Sequence, residues 1–401
     1  MKKIAIILAI VLTSMLLLSS AGFAAGFRLP EQGAAAMGMS SAFVGQADDP
    51  SAVWFNPAGI TQLDGTRIAA GGVAVYPVFK HENTSGTTDV SERDIHLPVY
   101  LYATHKMDDK ISLGLGINGP FGLATDWSDT SATSTVATFS KIVTTEVNPN
   151  IAYKVNNDLS VAFGIAFVHL RATLEKLLGP GVNFRLAGDG DGWGVNAAVH
   201  YKAAEKLNVG LSYRSRVKVD IDGTADALAI GQSGSASTTI TLPDLLQIGV
   251  SYKATEKLML NADIDYTLWS TYDRIVVTSN NALFNDTEEH QWKDVWALRI
   301  GGQYKLSDQW KLRAGYLYDN NPVPEDYFET RVPDSDRQAL SIGAGYTVNK
   351  VTIDASYMYI WFKNRTIGNS LMDDATLTPT ALNGTYKATV DSVALMVSYK
   401  F

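Results

Sequence analysis

Residue types that carry chemistry are present but not assembled. His81, His96, His105, His169, His200 and His290 are scattered, without the short spacings of a metal site. No Gly-x-Ser-x-Gly elbow and no phosphate-cradling glycine loop occurs. The absence of cysteine excludes a thiolate metal site, a Cys nucleophile and a disulfide framework. Asp189-Gly190-Asp191-Gly192 opens like a calcium loop, lacks the remaining acidic ligands, and is expected to be a flexible outer loop. His169 falls on an apolar register, which leaves a lipase at a lipid face as the one enzymatic alternative. The main reading is a protein that is not an enzyme and needs no cofactor.

The elements must then carry the function. Asp and Glu number 41 against 33 Lys and Arg, a balance that argues against a nucleic-acid partner. Lys2-Lys3, the apolar run Ile4 to Leu18 and the small segment ending at Ala24 read as a secretory signal peptide over 1–24. No later run is apolar over the roughly 20 residues that a spanning helix needs.

Beyond that leader the chain alternates with period two. Leu159, Val161, Phe163, Ile165 and Phe167 are separated by Ser160, Ala162, Gly164 and Ala166. Trp310, Leu312, Ala314, Tyr316 and Tyr318, and the final Val393 to Phe401, behave alike. Each is a strand with one apolar face and one small or polar face. Strand ends are marked by His105-Lys106, Tyr153-Lys154, Tyr201-Lys202, Tyr252-Lys253, Tyr304-Lys305, Tyr346-Thr347 and Tyr399-Lys400, every 42 to 53 residues. Short polar turns follow these markers. Long polar connections are expected near 79–95, 124–140, 174–191, 222–238, 272–290, 319–336 and 364–388. Seven marked strands, each with an ascending partner, predict an all-β fold, a transmembrane antiparallel β-barrel of about 14 strands over residues 66–401. The terminal strand ending in Phe401 resembles the signal that bacterial barrel-assembly machinery reads.

Residues 25–65 do not fit a barrel wall. They are rich in small residues, run through Trp54-Phe55-Asn56-Pro57-Ala58-Gly59, and read as short helices and turns. Apolar Phe27, Leu29, Phe43, Val44, Trp54 and Phe55 favour folding into the lumen as a hatch, or plug. A second anomaly sits in the third strand. Its alternation from Ile111 to Leu123 spans thirteen residues but includes Asn118-Gly119-Pro120. Pro cannot donate to a ladder, so pairing must fail there. The interruption is a bulge, a strand end, or a functional opening at Phe121 and its neighbours.

The mature start Ala25-Gly26-Phe27 and the Asn56-Pro57-Ala58 motif resemble the FadL-type long-chain fatty acid transporters of Gram-negative outer membranes. Phe121-Gly122-Leu123-Ala124-Thr125, Tyr213-Arg214-Ser215, Val217-Lys218, Pro322-Val323-Pro324 and Arg331 to Arg337 extend the likeness, in order, along the chain. The resemblance implies a fourteen-strand barrel with a lumen hatch, and gating by Phe27, Asn56, Pro57 and Ala58. It also implies a wall opening at Asn118, Gly119, Pro120 and Phe121 that releases an apolar ligand into the bilayer. Carboxylate contacts are expected at Lys176 and Lys293, matched to the family, at Arg171, placed beside Lys176 at the upper end of its strand, and at Arg299, which aligns less cleanly. The bland reading of these residues is pairing with lumen carboxylates such as Glu175 and Asp294, or with lipopolysaccharide. Leu177-Leu178 with Phe184 offers an outer landing groove. The expected partners are a long-chain fatty acid or another hydrophobic small molecule, and outer-membrane lipid and lipopolysaccharide, with the chain a monomer. Aromatic hydrocarbon uptake is the alternative in the same class. A general porin or a structural adhesin is the alternative in another.

Overall fold

The protein is described by a computed structural model over residues 26–371 and 381–401. The expected signal peptide lies outside the described residues. Fourteen antiparallel strands form a closed barrel. They are β1 (Thr66–Asn83), β2 (Val99–Lys106), β3 (Ile111–Asn118, resuming at Gly122–Asp126), β4 (Phe139–Lys154), β5 (Leu159–Gly179), β6 (Val182–Ala204) and β7 (Leu207–Arg214, then Val217–Ala227). There follow β8 (Gln232–Leu242, then Leu245–Lys253), β9 (Leu258–Thr267), β10 (Val295–Lys305), β11 (Trp310–Asp319), β12 (Arg337–Val348), β13 (Val351–Phe362) and β14 (Gly384–Lys400). Strand β14 pairs with β1 from Lys400 opposite Arg67 to Gly384 opposite Asn83. That seam removes the free edges that a bilayer would penalise.

The alternation sets the two faces. On β5, Phe163 and Ile165 are 50% and 46% exposed, while Ala162, Gly164 and Ala166 between them are buried. The outward face is therefore the apolar one, the pattern of a wall solvated by lipid. Trp310 packs on Tyr346, and Tyr399 on Phe401, near the strand ends that meet the short turns.

Two expected long connections are largely strand. Residues 174–191 belong mostly to a β5–β6 hairpin turned by Pro180-Gly181, with Gly181 at φ +73°. Residues 222–238 are mostly the upper parts of β7 and β8. Asp189-Gly192 is thus strand, not loop, with Asp191 opposite His169. In these stretches the inward residues Val182, Phe184, Leu186, Ala225 and Ala236 pack in an apolar cluster, while Arg185, Asp189 and Asp222 point outward. The apolar face has changed from the outer side to the inner one, although the hydrogen-bonded ladder continues.

The lumen is filled by residues 26–62. They include α1 (Ala34–Met37), α2 (Ala52–Phe55) and a 3-10 turn (Pro57–Gln62), nearly all buried. The wall meets this hatch with glycines. A Cβ at Gly210 would overlap the Val44 carbonyl, and one at Gly45 would stand 2.6 Å from the Val250 backbone. Gly38 and Gly343 likewise meet backbone to backbone, so the hatch lies directly on the wall.

Candidate functional site: a sealed break in the barrel wall

Strand β3 stops at Asn118 and resumes at Gly122 because Pro120 has no N–H to give. Its missing partner is the hatch. The Leu29 amide donates to the Pro120 carbonyl (2.8 Å), and the Gly122 amide donates to the Phe27 carbonyl (2.9 Å). Arg28 stands opposite Phe121 in an antiparallel bridge. Gln32 Nε2 donates to Gly119 O (2.9 Å), while its Oε1 accepts from Asn118 Nδ2 (3.0 Å). On the wall side, Thr144 Oγ1 accepts from the Phe121 amide (3.0 Å) and donates to the Phe121 carbonyl (2.7 Å). The hatch and Thr144 thus meet the Gly119, Pro120 and Phe121 carbonyls and the Phe121 and Gly122 amides, which a low-dielectric wall would otherwise leave unpaired.

A cavity of about 560 Å³ lies at this break. Its outer lining includes Val99, Leu101 and Val143, which are 70%, 42% and 46% exposed on the lipid side. Its inner lining includes Asp334, Arg337 and Phe362 in the lumen. Leu29, Gly119 and Phe121 stand between. The cavity therefore crosses the wall, and the hatch tip narrows it.

Phe27 fixes that tip. It packs edge-on to Trp269 (4.7 Å between ring centres) and Tyr272 (5.6 Å), with Trp292 and Phe121 close by. The Gly26 amide donates to Asp334 Oδ2 (2.9 Å). Burial pushes the Asp334 carboxyl up to about 7, against the pull of Arg337. Burial also raises Glu31, against Arg337, Arg299 and Arg28. Burial lifts Asp49 to about 6, although it accepts bonds from the Ser51 amide and hydroxyl.

Deeper in the hatch, buried ion pairs tie it to the wall. Asp265 bridges Arg28 (3.0 Å) and Arg299 (2.9 Å), and Arg299 donates onward to the Ser40 carbonyl. Asp263 accepts the Phe43 and Val44 amides at 2.6 and 2.8 Å. Arg214 pairs with Glu146 (2.9 Å), donates to the Val53 and Trp54 carbonyls, and lies 3.9 Å over the Trp54 ring. Asn56 donates to Val44 O and Val199 O, and its side-chain oxygen accepts the Ala58 amide. Pro57 sits at the first helical position, where no N–H is required. The Asn-Pro-Ala motif is thus a cap that also grips the wall.

The four expected carboxylate contacts are not brought together. Arg299 is 1% exposed and occupied by Asp265, because the hatch needs a buried anchor there. Arg171 lies on the outward register of β5, its Nε on His169, and so faces away from the lumen. Lys293 is exposed on the segment before β10. Lys176 stands on the lumen register, with Nζ 3.8 Å from Asp286. Sequence reasoning passed over Trp269, Tyr272 and Trp292, which form the aromatic seat of Phe27. Their clustering of large rings on one polar connection was the available signal.

A lipid-facing closed barrel with a lumen plug and a crossing cavity defines a plugged outer-membrane channel for apolar cargo. The chain belongs to the family described as outer membrane protein transport protein (OMPP1/FadL/TodX), which it matches over residues 15–401. That family comprises outer-membrane transporters of hydrophobic compounds, not enzymes, and it places the chain in the outer membrane of Gram-negative bacteria. The chain is 27% identical to the long-chain fatty acid transport protein of Escherichia coli K12, covering 86% of this chain and 90% of that one. It is 28% identical to outer membrane protein P1 of Haemophilus influenzae, covering 97% and 98%. Among solved structures it resembles a Pseudomonas aeruginosa FadL homologue, with a TM-score of 0.84, 20% identity, and 94% and 100% of the chains covered. The Ralstonia pickettii toluene transporter TbuX matches with a TM-score of 0.71 and 16% identity, over 92% and 98% of the chains.

Proposed function

We propose that this chain takes up elongated hydrophobic molecules, long-chain fatty acids among them, and releases them sideways into the membrane through the β3 break. The observation that carries this reading is the cavity that runs from Asp334 and Phe362 to the lipid-side Val99 and Val143. An apolar solute prefers that exit to an aqueous one, because water charges about 25 cal/mol for each Å² of apolar surface it must cover. The route is entry from the outer connections, passage along the aromatic seat of Phe27, retreat of residues 27–32, and lateral exit. Fatty acid relatives and the toluene transporters of like fold support both an acid and an aromatic cargo.

The test is uptake by cells that lack their own fatty acid transporter, given oleate or toluene. The chain is compared with a version in which Gly119 and Pro120 are both valine. A Cβ at Gly119 would stand 2.9 Å from the Thr144 carbonyl, so the replacement cannot keep the present backbone of the break. Uptake by the native chain that the replacement abolishes supports lateral exit. Equal uptake by both removes it. Failure of the folded native chain to take up either compound overturns the transport reading and brings a porin or adhesin forward.

A further inference from the structure

A second, smaller cavity of about 50 Å³ lies higher in the lumen and shares Leu123, Ile142 and Val332 with the first. It has room for a few water-sized groups, hence for a head group and not for a whole ligand. Its walls are mainly aliphatic, with Glu288, His290, Glu329 and Arg331 as the polar exceptions. Arg331 Nη1 lies 3.3 Å from Glu288 and 2.5 Å from Glu329. One guanidinium is thus shared by two carboxylates, a local sum of one negative charge. Lys176 adds no spare cation, since its Nζ stands 3.8 Å from Asp286. Yet Arg331 Nε and both His290 ring nitrogens are buried without a hydrogen-bond partner. His290 is 1% exposed and stacks on Tyr272. Its Nδ1 is 3.7 Å from Glu329, beyond hydrogen-bond reach. Each imidazole nitrogen can take part in a hydrogen bond, and here both stand idle beside empty space.

We infer that this cavity receives the uncharged hydroxyl head of an elongated hydrophobic molecule, a long-chain alcohol, and disfavours a carboxylate. A hydroxyl donates and accepts, so it meets the imidazole acceptor and one of the idle N–H groups together. A carboxylate only accepts, and it enters a site that is already net negative and shielded from water, where repulsion is weakly screened. This inference rests on the transport reading and names the cargo of the same lumen.

The experiment uses the mature, full-length barrel in lipid nanodiscs. Binding of 1-dodecanol, dodecanoate and dodecane is read from Trp fluorescence, since Trp269 and Trp292 both pack near Tyr272. Partition into empty nanodiscs is subtracted, and the work is done near pH 8 (roughly), where the acid is ionised. Dodecanol is expected to bind about tenfold more tightly than dodecanoate, the worth of one well-made hydrogen bond. His290→Leu should reduce dodecanol to the affinity of dodecane. Glu329→Gln should uncover Arg331 and strengthen dodecanoate about tenfold. Should His290→Leu fail to fold, the Glu329→Gln result decides. Dodecanoate binding as tightly as dodecanol, or no gain in Glu329→Gln, overturns the head-group inference and leaves transport standing. Absence of binding by all three overturns both.

Discussion

Asp265 ties the hatch tip to the barrel wall. It is a buried anion between two buried cations, Arg28 on the hatch tip and Arg299 on the wall. Removing one member of such a set costs roughly 3–5 kcal/mol, because the remaining charge is left buried and unmatched. Arg299→Ala should therefore loosen Ser40 to Val44, seen as faster amide hydrogen exchange there with the barrel strands still protected. Unchanged exchange would remove Arg299 from the anchoring role. Asp334 gives a pH dependence with a definite sign. Its carboxyl titrates near 7 in the fold and at 3.8 ordinarily. Between those values the folded protein holds a proton that the unfolded chain has lost, so stability falls as pH rises through the window. Thermal denaturation should show a more stable protein at the acid end of that window, and Asp334→Asn should reduce the slope. An identical slope in the variant would assign the dependence to other groups. Arg299 also marks a limit of sequence reading. Its charge is visible in the sequence, but Asp265, 34 positions earlier, becomes its neighbour only when β9 pairs with β10.

Residues 27–32 act as a substitute strand for the broken β3. They supply the two backbone bonds, Leu29 to Pro120 and Gly122 to Phe27, that the wall cannot make for itself. Phe27 holds them there through its aromatic neighbours, and truncating a buried Phe costs roughly 3–5 kcal/mol. Phe27→Ala should free the Leu29 and Gly122 amides to exchange while Phe43 and Val44 stay protected. If both groups of amides exchange together, the tip is not an independent unit. The break was legible in the sequence, because Asn118-Gly119-Pro120 interrupts a clear alternation. Its partner was not, because nothing local links Leu29 to Pro120. The upper strands were missed for a different reason. Gly188, Gly190 and Gly192 alternate with Asp189 and Asp191, so neither register carries the large apolar side chains by which a strand is read, although the ladder continues.

The whole molecule separates a wall that answers to lipid from a plug that answers to the wall. The strand count was readable because seven Tyr-Lys-type markers repeat at the short turns. The helices of the hatch were readable only as something other than strand. Deleting residues 26–62 should leave a barrel that still closes through the β1–β14 seam, and turn it into a steadily conducting pore in planar bilayers. The intact chain should conduct almost nothing. A deletion variant that stays silent would mean that the outer connections, not the hatch, close the channel.

The glycine seat has a mechanical consequence. Where Gly38 meets Gly343, and Val44 presses on Gly210, two backbones touch with no side chain between them to flex. Contacts of that kind are stiff, since any slide brings hard atoms into overlap. The tip at 27–32 has no such backbone footing: it is held by hydrogen bonds, by rings and by the Arg28–Asp265 ion pair. The plug is thus a base seated backbone to backbone carrying a tip held by side chains, and on the proposed lateral route the work of opening would fall on about half a dozen residues instead of forty.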